Sequence, residues 1–345
     1  MGKRVTIYDV AKKLNVSTAT VNRALNGKPK VGEKTRRLVI DTAKEMGYRP
    51  NIAAKSLSRK AIRIGVIVNN ISLDFNEKVL QGAQNACSEL VDFNVSGEFF
   101  SEIQRVPKEK IFERIRDMAQ SGCDGVIIAP SGDIGGYDKE IEFLLQQSIP
   151  VVTVISDVPE SGRLFSVRTN ARFSGKMAEE ILWATVEAKQ VAIFTGNKDI
   201  GVHRQNIEGF REQMKSNPLE LAAVYENYDS PDIAWYTAEK MLDDYPNIGG
   251  IYIATSNSIS ICQKIIEKGL AGKVKIVASD VFPKMIKYIR EGVVQATIFQ
   301  EPFNIGRLAF QYLYEHIANH KEYQREILLR PQIVLSSNLD LYIEK

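Results

Sequence analysis

The sequence predicts a small all-α head followed by a larger α/β body of two lobes, each a doubly wound parallel sheet. Three observations carry this prediction. Charge is split along the 345 residues: the first 60 hold 15 Lys/Arg against 4 Asp/Glu, a balance of +11, and the rest stand at −8. The basic stretch spaces its apolar residues at helical intervals. Beyond residue 60, strand-length apolar runs alternate with amphipathic helical stretches, the pattern of parallel sheets with helical crossovers. The composition, 44% hydrophobic and 25% charged, excludes collagen-like, coiled-coil and wholly disordered chains. No apolar run reaches the length of a membrane span.

In the head, Thr6 opens the first helix: its hydroxyl caps the backbone, and Asp9 three residues on favours the same end. Ile7, Val10, Ala11 and Leu14 share one face. Asn15-Val16 breaks the helix, and Ser17 caps a second one with Val21, Ala24 and Leu25 turned inward. Two short helices joined this closely form a helix-turn-helix. A third helix is expected over 33–46, with Val39, Ala43 and Met46 apolar and Gly47 as its stop.

The second helix presents Thr18, Ala19, Asn22 and Arg23 outward. These side chains suit base edges in a major groove: arginine to guanine, asparagine to adenine, and methyl groups to thymine. Thr6, Ser17, Thr20 and Asn26 are placed for phosphates, which set register without reading sequence. After Pro50, the segment beginning at Asn51 predicts a short helix that is marginal alone. On it Leu57 suits insertion into a minor groove.

The strings VTIYDVAKKLNVSTATVNRALNG and VGEKTRRLVIDTAKEMGYRPNIAAKSL closely resemble the head of the LacI/GalR family of bacterial repressors. The resemblance implies base contacts from Thr18, Ala19 and Arg23, phosphate contacts from Thr6, Ser17, Thr20 and Asn26, and minor-groove insertion by Leu57 with Ala54 beside it. Asn22 stands where the family more often has serine, which bears on operator preference. Gly32 stands where a capping residue is common, which loosens the start of the third helix.

In the body, strands are expected at 62–68, 95–100, 125–130, 151–155, 190–195, 221–225, 250–254, 274–278 and 296–300. Helices fall between most of them, among others at 78–91, 171–187 and 304–318. The turn-rich stretch 157–162 is the expected crossing between lobes. The domain boundaries follow: a helix-turn-helix head at 1–49, a hinge helix at 50–60, and an effector and dimerisation body at 61–345. Lobe 1 is expected at about 61–158 and 293–325, and lobe 2 at about 163–291 and 326–345.

In such folds ligands sit at the carboxyl ends of the strands, here between the lobes. Reading past the strand ends gives Phe75, Asp157, His203, Arg204, Asn206, Thr255, Ser256, Asn257, Asp280 and Gln300 as effector-binding candidates. The set is rich in hydrogen-bonding groups, as a sugar requires, and Phe75 or Phe282 suits stacking on an apolar sugar face. The body also resembles periplasmic sugar-binding proteins, in which an arginine before a Gly-Phe pair and an Asn-Asp pair hold sugar hydroxyls. Here HRQNIEGF puts Asn206 at the arginine position and IATSNS puts Thr255-Ser256 at the Asn-Asp position, whereas Asp280 and Gln300 match.

Other chemistries find no support in the sequence. There is no phosphate-binding or dinucleotide glycine motif and no nucleophile elbow. His316 and His320 read as surface histidines rather than metal ligands, Trp183 and Trp235 as packing residues, and Cys87, Cys123 and Cys262 as small hydrophobes. No cofactor or metal is expected. The opening residues lack a secretory signal, so a cytoplasmic location is expected. No leucine heptad closes the chain, so a coiled-coil tetramer is not supported. The expectation is a ligand-responsive regulator, by resemblance a repressor of carbohydrate-utilisation genes, that binds a pseudo-palindromic operator in double-stranded DNA as a homodimer, answers a sugar or sugar-like effector, and has no membrane association. The alternatives are an α/β enzyme and a ligand-independent architectural DNA-binding protein.

Overall fold

The computed structural model describes residues 5–25, 27, 29–48, 60–69, 74–130 and 135–343. Asn26, Asn51, Ala54, Leu57 and the expected hinge helix lie outside the described residues.

The head contains α1 (Ile7–Leu14), α2 (Thr18–Leu25) and α3 (Glu33–Glu45). Val10, Ala11, Val21, Ala24, Val39 and Ala43 form its core, with Ile7, Leu14, Leu25 and Met46 packed around them. Thr6 and Asp9 cap each other reciprocally at the start of α1. Asn15 ends that helix in the left-handed region at φ 51°, a conformation asparagine tolerates better than most residues. Gly32 starts α3 without a side-chain cap.

Each lobe of the body is a six-stranded sheet. Lobe 1 begins with β1 (Ile62–Ile67), α4 (Asp74–Glu89), β2 (Val95–Phe100), α5 (Lys108–Gln120), β3 (Gly125–Ile128), α6 (Tyr137–Gln146), β4 (Val151–Val154) and β5 (Phe165–Thr169). Lobe 2 comprises α7 (Ala171–Thr185), β6 (Gln190–Thr195), α8 (Gly201–Gln213), β7 (Glu220–Glu226), α9 (Pro231–Asp244), β8 (Gly250–Ala254), α10 (Ser258–Glu267), β9 (Lys275–Ser279), α11 (Pro283–Arg290) and β10 (Ala296–Phe299). The chain then returns to lobe 1 as α12 (Pro302–Asn319) and β11 (Glu326–Leu329), and ends in lobe 2 with β12 (Gln332–Val334).

The strand orders are β11-β5-β4-β3-β1-β2 and β12-β10-β9-β8-β6-β7. Every pairing is parallel except β10 with β12. The inner strands read as continuous apolar runs because helices cover both faces. In lobe 1, Ile111, Ile115 and Met118 of α5 and Ile141 and Leu144 of α6 pack on Val126, Ile128 and Val151. In lobe 2, Leu182 of α7 and Phe210 of α8 cover Val191, Ile193, Tyr252 and Val277.

On one face of each sheet, two helices cross at backbone contact. A Cβ on Gly306 of α12 would stand 1.9 Å from the Val79 carbonyl oxygen of α4, and one on Gly209 of α8 would stand 1.9 Å from the Arg172 carbonyl oxygen of α7. Only glycine permits either approach.

The lobe boundaries depart from expectation. The stretch 157–162 joins β4 to β5, which are neighbours in one sheet, so it does not cross between lobes. The crossings fall at Asn170, at Gln300-Glu301 and at Arg330-Pro331. As a result β10 belongs to lobe 2 and β11 to lobe 1, the reverse of the expected division. The physical cause is β5, whose sequence FSVRT carries buried Ser166 and Arg168 and so lacks the apolar run that marks the other strands.

Candidate functional site

In the head, Val21 and Ala24 are buried, and this turns Ala19, Asn22 and Arg23 of α2 outward, with Thr18 half-buried beside them. Ser17 accepts from the Thr20 amide at 3.1 Å, and its hydroxyl lies 2.9 Å from that of Thr20. The Thr6 hydroxyl donates to Asp9 at 2.7 Å. The head therefore offers an exposed helix face carrying a methyl, an amide and a guanidinium, with capping hydroxyls at its edges.

In the body, a cavity of about 350 Å³ lies between the lobes. Phe75, His203, Asn206, Thr255, Ser256, Asp280 and Gln300 line it together. Asp280 sits just past β9 at φ 64° and is 2% exposed. Its two carboxylate oxygens accept from the Gln300 amide at 2.8 Å and from Gln300 Nε2 at 2.7 Å. Burial raises its pKa to about 7, although these two hydrogen bonds oppose the rise. The Gln300 carbonyl in turn accepts from the Thr169 hydroxyl at 2.6 Å. This chain of bonds links the cavity carboxylate in lobe 2 to the crossing segment and to the last residue of β5 in lobe 1.

Asn206 Oδ1 accepts from the buried Tyr252 hydroxyl at 2.9 Å, and Asn206 Nδ2 donates to the Val202 carbonyl at 3.1 Å. Burial lowers the pKa of His203 against the opposing pull of Asp229, so the ring is uncharged at neutral pH.

Four expected residues lie elsewhere. Asp157 is paired with Arg163 within lobe 1, through Nε and, at 2.5 Å, through Nη2. It also accepts from Thr153 at 2.8 Å. Burial pushes its carboxyl up, but the Arg163 hydrogen bonds and charge outweigh that and hold it below the usual range. Arg204 is exposed and donates to the Asp199 carbonyl at 3.4 Å, because α8 turns Asn206 rather than Arg204 inward. Asn257 is buried at the start of α10 and does not line the cavity. Phe282 is buried at the start of α11 and does not line the cavity.

The cavity also draws in Gln104, Arg105, Thr169, Tyr228, Asp229 and Ser279, which sequence reasoning missed. Gln104, Arg105, Tyr228 and Asp229 follow the ends of β2 and β7, where reading past every strand end in the same way would have found them, and Thr169 and Ser279 are the last residues of β5 and β9. Asp229, at φ 57°, accepts from the Thr255 hydroxyl at 3.0 Å.

This is the architecture of a two-lobed binding protein carrying a helix-turn-helix. The family model described as "Periplasmic binding protein domain" matches residues 64–322, and that of "Bacterial regulatory proteins, lacI family" matches residues 6–51. The chain belongs to the LacI family of bacterial regulatory proteins, with a periplasmic-binding-protein body, and is a DNA-binding transcriptional regulator. It is 24% identical over 322 residues to catabolite control protein A of Priestia megaterium, covering 91% of this chain and 92% of that protein. It is 29% identical over 229 residues to the probable HTH-type transcriptional repressor ExuR of Bacillus subtilis, covering 65% and 61% respectively. The body superposes on GanP, a glucose-galactose binding protein from Geobacillus stearothermophilus, with a TM-score of 0.75 and 22% identity over 81% of this chain and 99% of that one. Among the described residues, no helix is long and apolar enough to cross a membrane.

Proposed function

We propose that the chain is a cytoplasmic repressor of carbohydrate-utilisation genes, acting as a homodimer on a pseudo-palindromic operator and controlled by a sugar or sugar-like effector in the inter-lobe cleft. Thr18, Ala19, Asn22 and Arg23 read base edges; Thr6, Ser17, Thr20 and Asn26 hold phosphates; Leu57, with Asn51 and Ala54 on the same hinge, enters the minor groove. The chain works by binding rather than turnover, as a regulator of this family does. The observation that carries the reading is the run from Asp280 through Gln300 to Thr169. A ligand that engages Asp280 bears directly on a strand crossing, and a change in lobe closure there alters the support of the hinge segments.

The test is fluorescence anisotropy on operator DNA with and without sugars that stabilise the protein in a thermal-shift screen. A bound sugar is expected to change operator affinity by about 5–150-fold, and Asp280→Asn to remove that response while leaving ligand-free DNA binding intact. Unchanged operator affinity with every stabilising sugar would reject the reading. Arg23→Ala is expected to cost about 1–3 kcal/mol on the matched operator and much less on random DNA. Equal loss on both would remove Arg23 from the base-reading set.

A further inference from the structure

The charges lining the cleft do not balance. Asp280 is 2% exposed, and each of its oxygens keeps accepting capacity beyond its bond from Gln300. Asp229 accepts from Thr255 through Oδ1, while its Oδ2 has no partner among the described residues. At the position where the family resemblance puts an arginine, this chain has Asn206, whose amide is engaged by Tyr252 and Val202. Arg204 points to solvent, and His203 is held uncharged by burial. Among the described residues the cation on the wall is Arg105, which is exposed. A buried carboxylate without a cation is costly; Asp280 meets that cost by holding a proton, a place that a cationic group on a ligand can take.

A second observation is independent of the carboxylates. Asn69 lines the cavity from the end of β1 and is 2% exposed, yet neither its Nδ2 nor its Oδ1 has a partner among the described residues. Such a donor and acceptor side by side suit a ligand hydroxyl, which can satisfy both. Phe75 adds an apolar surface on the same wall.

We infer that the cleft takes a polyhydroxylated amine, an amino sugar or an aminated cyclitol, with its ammonium against Asp229 and Asp280 and a hydroxyl on Asn69. The inference rests on the cleft being the effector site. It excludes uronates and phosphorylated sugars, whose anionic groups would face both carboxylates.

Calorimetric titration of the full chain with matched sets is the test: glucosamine, glucose and glucuronate, then galactosamine, galactose and galacturonate. The amine is expected to bind at least about tenfold more tightly than its neutral partner, and to weaken in high salt where the neutral sugar does not. Asp229→Asn, which keeps the acceptor for Thr255, is expected to erase the amine's advantage, as is Asp280→Asn. If a neutral sugar or a uronate binds most tightly and both Asp→Asn variants weaken it, the charge inference falls and the cleft remains the effector site. If sugars bind but neither variant alters any affinity, the cleft reading falls with it.

Discussion

The two lobes share a strand order, a parallel sheet and a glycine-crossed helix pair, yet they give the cleft different chemistry. Lobe 1 supplies Phe75, Ala129, Pro130, Ile155 and Ile305 with the amides of Asn69, Asn76 and Gln104, the hydroxyls of Ser156 and Thr169 and the exposed Arg105, whereas lobe 2 supplies both carboxylates, Asp229 and Asp280, beside His203, Thr255 and Ser256. Each lobe holds a buried carboxylate just past a strand end. Asp157 in lobe 1 has a guanidinium partner, and Asp280 in lobe 2 has only amides. The same scaffold thus turns one acid into an internal tie and leaves the other open to a ligand. What separates them is the presence of Arg163 six residues after Asp157.

The largest expected effect tests that contrast directly. Asp157→Ala strands the buried Arg163 charge and should cost about 3–5 kcal/mol in a urea melt, with ligand affinity unchanged in the protein that remains folded. A lost ligand response at retained stability would return Asp157 to the cleft. Next come the two helix crossings. Gly306→Ala and Gly209→Ala each push a methyl into a backbone carbonyl and should each cost about 3 kcal/mol, near the upper end for overpacking. Gly209→Ala should weaken ligand binding more than Gly306→Ala, because α8 carries the polar His203 and Asn206 whereas α12 carries the apolar Ile305; equal affinity loss in both variants would erase the distinction between the lobes.

The third prediction concerns pH. Burial holds Asp280 at about 7 in the folded chain against 3.8 when free. Between those values the folded state keeps a proton that the unfolded state has lost, so stability falls as pH rises from about 4 to about 7 and levels off above. Between pH 5 and 7 the wild type should lose about 2 kcal/mol relative to Asp280→Asn. Parallel pH profiles for the two proteins would show that the carboxyl ionises freely. The smallest effect is expected from Thr169→Val, about 1 kcal/mol for the lost hydroxyl bond to the Gln300 carbonyl. Its use is to ask whether that bond transmits a ligand's presence across the crossing: an operator response to ligand unchanged from wild type would say that it does not.

Nine strands were legible in the sequence, most plainly the inner ones, since a strand covered on both faces is an unbroken apolar run, as in GVII and GIYIA. The three that were not legible are polar or short for identifiable reasons. In β5, Arg168 is turned inward, donating to Glu326 of β11 at 2.5 Å and to Gln205 of α8 at 3.0 Å. The short β11 and β12 each complete a sheet edge, where one flank is free and a long apolar run is not required. Missing them displaced the lobe boundaries. For the cleft, position past a strand end pointed to Asp280 and Thr255, but it could not separate Asp280 from Asp157, since pairing depends on which side chain faces back. Nor could it show that α8 turns Asn206 inward and Arg204 outward, because that choice rests on the phase of a helix against its sheet.

The three strand crossings have a consequence for how the chain is built during synthesis. Lobe 2 is nearly one continuous stretch, residues 170–299, lacking only β12. Lobe 1 starts earlier but waits for α12 and β11, so its first five strands emerge from the ribosome without the helix that covers one face or the strand that closes one edge. The later lobe in the sequence can therefore assemble five of its six strands first, and the exposed sheet of the first depends on residues made after them.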